Sequence, residues 1–300
     1  MILRSRRVVA PDGVRAATVP IEGERFVRIG DYDAPHDVDY GDLVIMPGLV
    51  DSHVHVNEPG RTEWEGFESA TRAAAAGGVT TIVDMPLNSI PPTNSVEALL
   101  VKAEAMLGKC WVDVGLWGGA VPDNCPQLKA MVREGALGFK CFLVDSGVPE
   151  FGFLGPYMLE AALRELRDTG VPLLVHAELP QFIGSAAGAS YRAYLQSRPP
   201  EAEDAAIDLV CGAAKRTSGR AHIVHLSSAA GIDLIARAPG VTVETTPHYL
   251  HFEAEKIPDG APQFKCAPPI REHANREALW RGLGAGEIDL VISDHSPCAP

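Results

Sequence analysis

Eight β-branched apolar runs, each separated from the next by a stretch with helical spacing, leave this chain few folds to adopt. The runs are Leu43–Val56, Thr80–Met85, Trp111–Trp117, Leu137–Val144, Val171–Ala177, Ala221–Leu226, Val241–Thr246 and Asp289–Ser293. Between them lie Trp64–Ala76, closed by Gly77-Gly78, and a helix from Asn94, where Asn94 and Glu97 fit a capping box. Further helices are expected over Cys125–Arg133, Met158–Leu166, Ala202–Lys215, Ala230–Ala236 and Asn275–Leu283. Such alternation predicts a parallel sheet with right-handed crossovers, and eight units close as a (β/α)8 TIM barrel. The competing open doubly wound sheet would carry a GxGxxG turn after a strand, and none occurs.

Residues 1–46 stand outside this rhythm. Short runs (Ile2–Val9, Val14–Pro20, Phe26–Ile29) separated by Pro11-Asp-Gly13 and Glu22-Gly23 predict a small β-meander, the first part of a small β-sandwich domain. The barrel is expected over 47–300.

Chemistry in a barrel of this kind collects at the carboxyl ends of its strands. The first run ends in His53 and His55, which share a face because strand side chains alternate. A bare pair of strand histidines is as readily a core feature as half of a metal site. The other strand ends decide between the two. The fourth run carries Lys140, the fifth His176, the sixth His225, and the eighth Asp294. Four histidines, a lysine and an aspartate converging on one mouth predict a metal centre. An ordinary lysine amine is a poor ligand at neutral pH. Taken alone, Lys140 reads as a buried lysine paired with a carboxylate; carboxylated by carbon dioxide, it would instead become an anion whose two oxygens can span two cations about 3.5–4 Å apart. His222 is expected to support the site rather than join it, His248 to be a ligand or a substrate contact, and His295 to face away from Asp294.

Composition narrows the class of function. A net charge of −13 with an isoelectric point near 5.2 disfavours nucleic acid and anionic membrane as partners. Six cysteines (110, 125, 141, 211, 266, 298) form no CxxC pair, which suits reduced thiols and a cytoplasmic protein. The amino terminus has only a short apolar stretch before Pro11, too short for a signal peptide.

The segments PGLVDSHVH, GFKCFL, VHAE, HIVHLSS and SDHSP, in this order over residues 47–297, resemble the cyclic amidohydrolases. Within them the likeness is greatest to the allantoinases, with dihydropyrimidinases (hydantoinases) and dihydroorotases as cousins. The resemblance implies two divalent metal ions, usually Zn2+, held by His53, His55, Lys140, His176, His225 and Asp294, with carboxylated Lys140 as bridge. It also implies that Asp294 is the catalytic general base and then general acid, that the substrate is a small cyclic amide, and that the protein is a homotetramer. Dihydroorotases place an arginine two residues after the HxH; Asn57 stands there in this chain. An amide suits a neutral ring such as allantoin, with Asn57 and Asn88 as expected substrate contacts. Arg61 is close enough in sequence to restore an anion site. A catalytically dead scaffold of the same fold is the non-enzymatic alternative, and such proteins lose ligands that this chain retains. Family members are longer, so the chain, which stops six residues after Asp294, is expected to lack the last barrel helix and the carboxyl-terminal strands that complete the small domain.

Overall fold

The computed structural model describes residues 1–297 and separates two compact units, Met1–Leu49 and Val50 onward, so the division falls after Leu49 rather than after Met46. In the first unit, β1 (Ile2–Ala10) pairs antiparallel with β2 (Gly13–Glu22), and β3 (Arg25–Phe26) pairs with β2. The short strands β4 (Val38–Asp39) and β5 (Val44–Ile45) both pair parallel with β1. This is not the expected meander, because β1 lies inside the sheet. The third run, Phe26–Ile29, is a strand only over its first residue. A small core of Val8, Ala17 and Val19 holds the unit together.

The second unit repeats strand and helix. Its strands are β6 (Leu49–Val54), β7 (Val79–Asp84), β8 (Asp113–Leu116), β9 (Gly118–Gly119), β10 (Phe139–Phe142), β11 (Leu173–His176), β12 (Ala221–Ile223), β13 (Val241–Thr245) and β14 (Leu290–Val291). The pairs β7–β8 and β9 through β14 are parallel, each strand beside its neighbour in sequence. The expected strand Trp111–Trp117 is regular only over β8, and the chain continues past Trp117, whose indole donates to the Ser52 carbonyl (2.7 Å), into the short β9 beyond it. The ring closes where Val54 bridges His295 in parallel and the His55 amide donates to the His295 carbonyl (2.8 Å). The unit is a TIM barrel of the expected type.

Helices α1 (Phe67–Ala76), α2 (Val96–Ala105), α3 (Leu128–Arg133), α4 (Pro156–Leu166), α6 (Pro200–Thr217), α7 (Gly231–Ile235) and α9 (His273–Ala285) connect the strands, while α5 (Tyr191–Ser197) and α8 (Pro247–His251) sit in the connections beyond β11 and β13. Two helix starts differ from expectation. α1 begins at Phe67, not Trp64, because Glu58 reaches in to accept from the Phe67 amide (2.9 Å). α2 is capped by Ser95, whose hydroxyl accepts from the Ala98 amide (3.1 Å), while the Asn94 carbonyl is taken by the Asn124 side chain (2.7 Å). The first barrel strand is also shorter than the Leu43–Val56 run and is not buried on both faces at its start. Pro47 cannot donate to a ladder and Leu49 and Val50 are exposed, so the strand becomes interior only from His53.

Period-two alternation explains how the barrel positions its polar residues. Phe139, Cys141, Leu173, Val175, Ala221, Ile223, Val241 and Val243 point outward into the large core shared with the helices. Their neighbours Lys140, Phe142, Leu174, His176, His222 and Glu244 point inward. The interior therefore holds a small apolar plug of Met85, Phe142, Leu174 and Val224 with titratable groups beside it.

Candidate metal centre

The six residues expected to share the mouth do line one cleft of about 700 Å3 at the carboxyl ends of the strands. His53, Lys140, His176 and His225 are almost wholly buried. Three of them reach the cleft by strand alternation. His225 does so differently: β12 ends at Ile223, and a left-handed backbone at His225 (φ 40°) swings its ring inward. Asp294 (φ 52°) and Asn57 (φ 31°) are also left-handed. Each such non-glycine residue stores on the order of 1–3 kcal/mol that the surrounding fold must hold. Three of the four left-handed non-glycine residues among the described ones are thus residues that the sequence singled out for the site.

The hydrogen-bonding partners fix the histidine tautomers. Glu244 Oε1 lies 2.5 Å from His53 Nδ1, the Leu87 carbonyl 2.7 Å from His55 Nδ1, and Glu178 Oε2 2.8 Å from His176 Nε2. These oxygens only accept, so each ring carries its proton on that nitrogen when neutral and presents a bare lone pair on the other. Two of the bare nitrogens face a carboxylate and the third a histidine nitrogen: His53 Nε2 stands 3.2 Å and His55 Nε2 3.6 Å from Asp294 Oδ1, and His176 Nδ1 stands 3.1 Å from His225 Nε2. At Asp294 lone pair is set against lone pair, which is repulsive unless a proton or a cation lies between; a neutral His225 protonated on Nε2 donates to His176 Nδ1 and leaves its own buried Nδ1 without a partner. Burial pushes the pKa of His53, His176 and His225 below the ordinary imidazole value, which disfavours the imidazolium.

A cation fits the spacing as well: ligands about 2.0–2.1 Å from a tetrahedral ion lie about 3.3 Å apart. His53, His55 and Asp294 together form a group with all ligand atoms within 4.8 Å. Burial alone would raise the Asp294 carboxyl, whereas positive charge at the facing imidazole nitrogens holds it well below the usual carboxylate range. Burial lowers the Lys140 amine to about 8, which makes its neutral form accessible near neutral pH. The donor set therefore fits divalent metal binding.

The remaining expected residues separate. His248 and Asn88 line the cleft, and His248 Nε2 is buried without a hydrogen-bond partner. Asn57 does not line it: its Oδ1 accepts from Asn88 Nδ2 (3.2 Å), so it stands behind Asn88. Arg61 donates to the Asn88 carbonyl (2.5 Å), lies over Trp64 and does not reach the cleft wall. It does not restore an anion site there. His295 points to Glu65 (2.6 Å), away from the cluster.

Several site residues escaped the sequence reading. Glu178 holds His176 and is itself gripped by Arg198 through two nitrogens (3.0 and 2.6 Å). Arg271 donates to the Arg198 carbonyl (3.2 Å) and pairs with Glu203 (3.0 Å), both wholly buried. Glu203 also accepts from the amides of Ser227 and Ser228 (2.7 and 2.9 Å), just past His225. One buried network thereby supports both His176 and His225. Replacing Arg271 with alanine leaves the Glu203 carboxylate buried without its ion partner and is expected to cost about 3–5 kcal/mol. Denaturant unfolding measures this directly. A loss below about 1 kcal/mol would show that water or relaxation replaces the guanidinium.

Residues 44–295 match the model of the amidohydrolase family, and the chain belongs to that family. Within it, the chain is similar to allantoinases. It is 49% identical to the allantoinase of Streptomyces avermitilis, covering 99% of this chain and 69% of that protein. It is 47% identical to the mitochondrial allantoinase of Aquarana catesbeiana, covering 100% of this chain and 64% of that one. The chain thus spans roughly two thirds of the length of these curated relatives. Among solved structures it resembles the L-hydantoinase (dihydropyrimidinase) of Arthrobacter aurescens, with a TM-score of 0.89, 30% identity, and coverage of 98% of this chain and 68% of that one. No helix among the described residues is long and apolar enough to cross a membrane.

Proposed function

We propose that the protein to which this chain belongs hydrolyses the ring amide of allantoin to give allantoate, using two divalent metal ions, Zn2+ by the family resemblance. The observation that supports this reading is the convergence of the bare His53 Nε2 and His55 Nε2 on Asp294 Oδ1 beside the close His176 Nδ1–His225 Nε2 pair, an arrangement that a buried cation satisfies. His53 and His55 with Asp294 would hold one ion, His176 and His225 the other, and Lys140, carboxylated by carbon dioxide, would serve both. The ions supply Lewis acidity and lower the pKa of water to near neutrality.

The chain's own residues do the rest. Asp294 takes the proton of the attacking water on its carboxylate and returns it to the ring nitrogen as the carbon–nitrogen bond breaks. Asn88 and His248 line the wall where a neutral, amide-rich ring would sit, and Asn57 orients the Asn88 amide. The greater identity to allantoinases than to the structurally similar hydantoinase favours allantoin over dihydropyrimidines and 5-substituted hydantoins. A substrate panel on the full-length protein tests the assignment. Allantoin is expected to turn over and dihydrouracil not, and the reverse order would replace allantoin by the dihydropyrimidine reading. Prolonged chelation should remove the activity and added Zn2+ restore it; a protein that purifies without stoichiometric metal is instead a scaffold.

A further inference from the structure

The least explained feature of the barrel interior is a carboxylate that touches neither the cleft nor solvent. Glu244 is 1% exposed, and its two oxygens are divided between two histidines. Oε1 faces His53 Nδ1 at 2.5 Å and Oε2 faces His222 Nε2 at 3.0 Å. The other nitrogen of His222 meets Thr242 Oγ1 at 2.7 Å. The four residues form one chain, Thr242–His222–Glu244–His53, running up the inside of the barrel toward Asp294. The Thr242–His222–Glu244 links come from adjacent strands: His222 pairs in register with Thr242, and Glu244 lies one alternation beyond Thr242 on the same inward face, from which it reaches across to His53.

We propose that Glu244, itself held by His222, is a positioning residue that locks His53 in the tautomer and orientation needed to ligate a cation through Nε2. The inference rests on the metal reading above. A carboxylate can accept both ring protons at once, so it dictates the proton position on each histidine. His53 must carry hydrogen on Nδ1, which frees Nε2, and His222 must carry hydrogen on Nε2, which leaves Nδ1 to accept from the Thr242 hydroxyl. An anionic acceptor behind a ligand imidazole also makes the coordinating nitrogen more basic. His222 prevents the carboxylate from rotating away. Nothing else among the described residues bonds to His53 Nδ1.

Two substitutions separate the contributions. Glu244→Gln keeps an oxygen for His53 but removes the charge, and its amide must donate to His222, which then has to change tautomer. Glu244→Ala removes both. Affinity is measured on the full-length apo protein by titration with Co2+ against a chromophoric chelator, reading the d–d absorption of the bound ion. The Ala variant is expected to bind the first ion on the order of 10–100-fold more weakly, with a changed d–d spectrum. The Gln variant should fall between it and wild type. Apo melting curves establish that the variants are folded, and should Ala not fold, Gln alone decides. Wild-type protein that binds two ions beside folded variants with unchanged affinity and spectrum overturns the positioning role. Wild-type protein that binds no ion overturns the metal reading instead.

Discussion

Replacing Lys140 with alanine is expected to abolish the second metal and nearly all activity, while short carboxylic acids restore part of both. Lys140 points into the barrel from the middle of β10, is 1% exposed, and is surrounded by imidazoles and Asp294. A permanently cationic ammonium there would sit against the very lone pairs that a metal needs. Burial has already lowered its amine to about 8, and a neutral amine is the form that captures carbon dioxide. Once carboxylated, the group changes sign, and the site gains an anion where it had a cation. Removing the side chain removes that anion, and the loss of a preorganised electrostatic element of this kind should cost on the order of 10³-fold in kcat. Acetate or propionate fits the space left by the lysine stem and can bring a carboxylate to the same place. Arginine cannot, because its guanidinium carries no carbamate. Metal analysis and activity with and without added acid give the answer. Full activity in wild-type protein whose mass never shows carbon dioxide on Lys140 would remove this account.

The barrel and half of its centre are legible from period-two alternation because strand geometry leaves a side chain only two directions. His53, Lys140 and His176 follow from that rule, and Glu244 could have: in Val241-Thr-Val-Glu-Thr the apolar residues face outward, which places the carboxylate inside. His225 is harder. Strand alternation sets it on the opposite face from His222, yet both rings reach the interior because the chain leaves the strand and turns left-handed at His225. No periodic pattern announces such a turn at a histidine. The Glu178–Arg198 and Glu203–Arg271 pairs are separated by 20 and 68 residues, with no spacing that betrays contact. Asn57 illustrates the opposite error. Its type suited a substrate contact, but buried behind Asn88 it supports the wall instead of forming it. The parallel strands β4 and β5 are two residues each, too short to give a pattern at all.

Asp294→Asn should reduce kcat/KM by about 10²–10⁴-fold, the usual contribution of a positioned acid–base group. At 1.36 kcal/mol per decade this is on the order of 3–5 kcal/mol of transition-state stabilisation. The substitution is nearly isosteric, and the amide oxygen can still approach His53 Nε2 and His55 Nε2, the atoms Asp294 Oδ1 faces at 3.2 and 3.6 Å. What it loses is proton capacity. An amide neither takes a proton from water near neutral pH nor delivers one to a departing nitrogen. The carboxylate, held well below the ordinary range by positive charge at the site, is available as an acceptor throughout the neutral range. Weakened metal binding would also lower activity, so the variant must be assayed after metal loading, with stoichiometry measured on the same sample. KM should change little, because Asp294 acts on the reacting atoms and not on the remainder of the ring. A metal-loaded Asp294→Asn protein that keeps more than about a tenth of wild-type kcat/KM would assign the proton transfer elsewhere. His248, which lines the same cleft with its Nε2 unpartnered, would then be the residue to replace next.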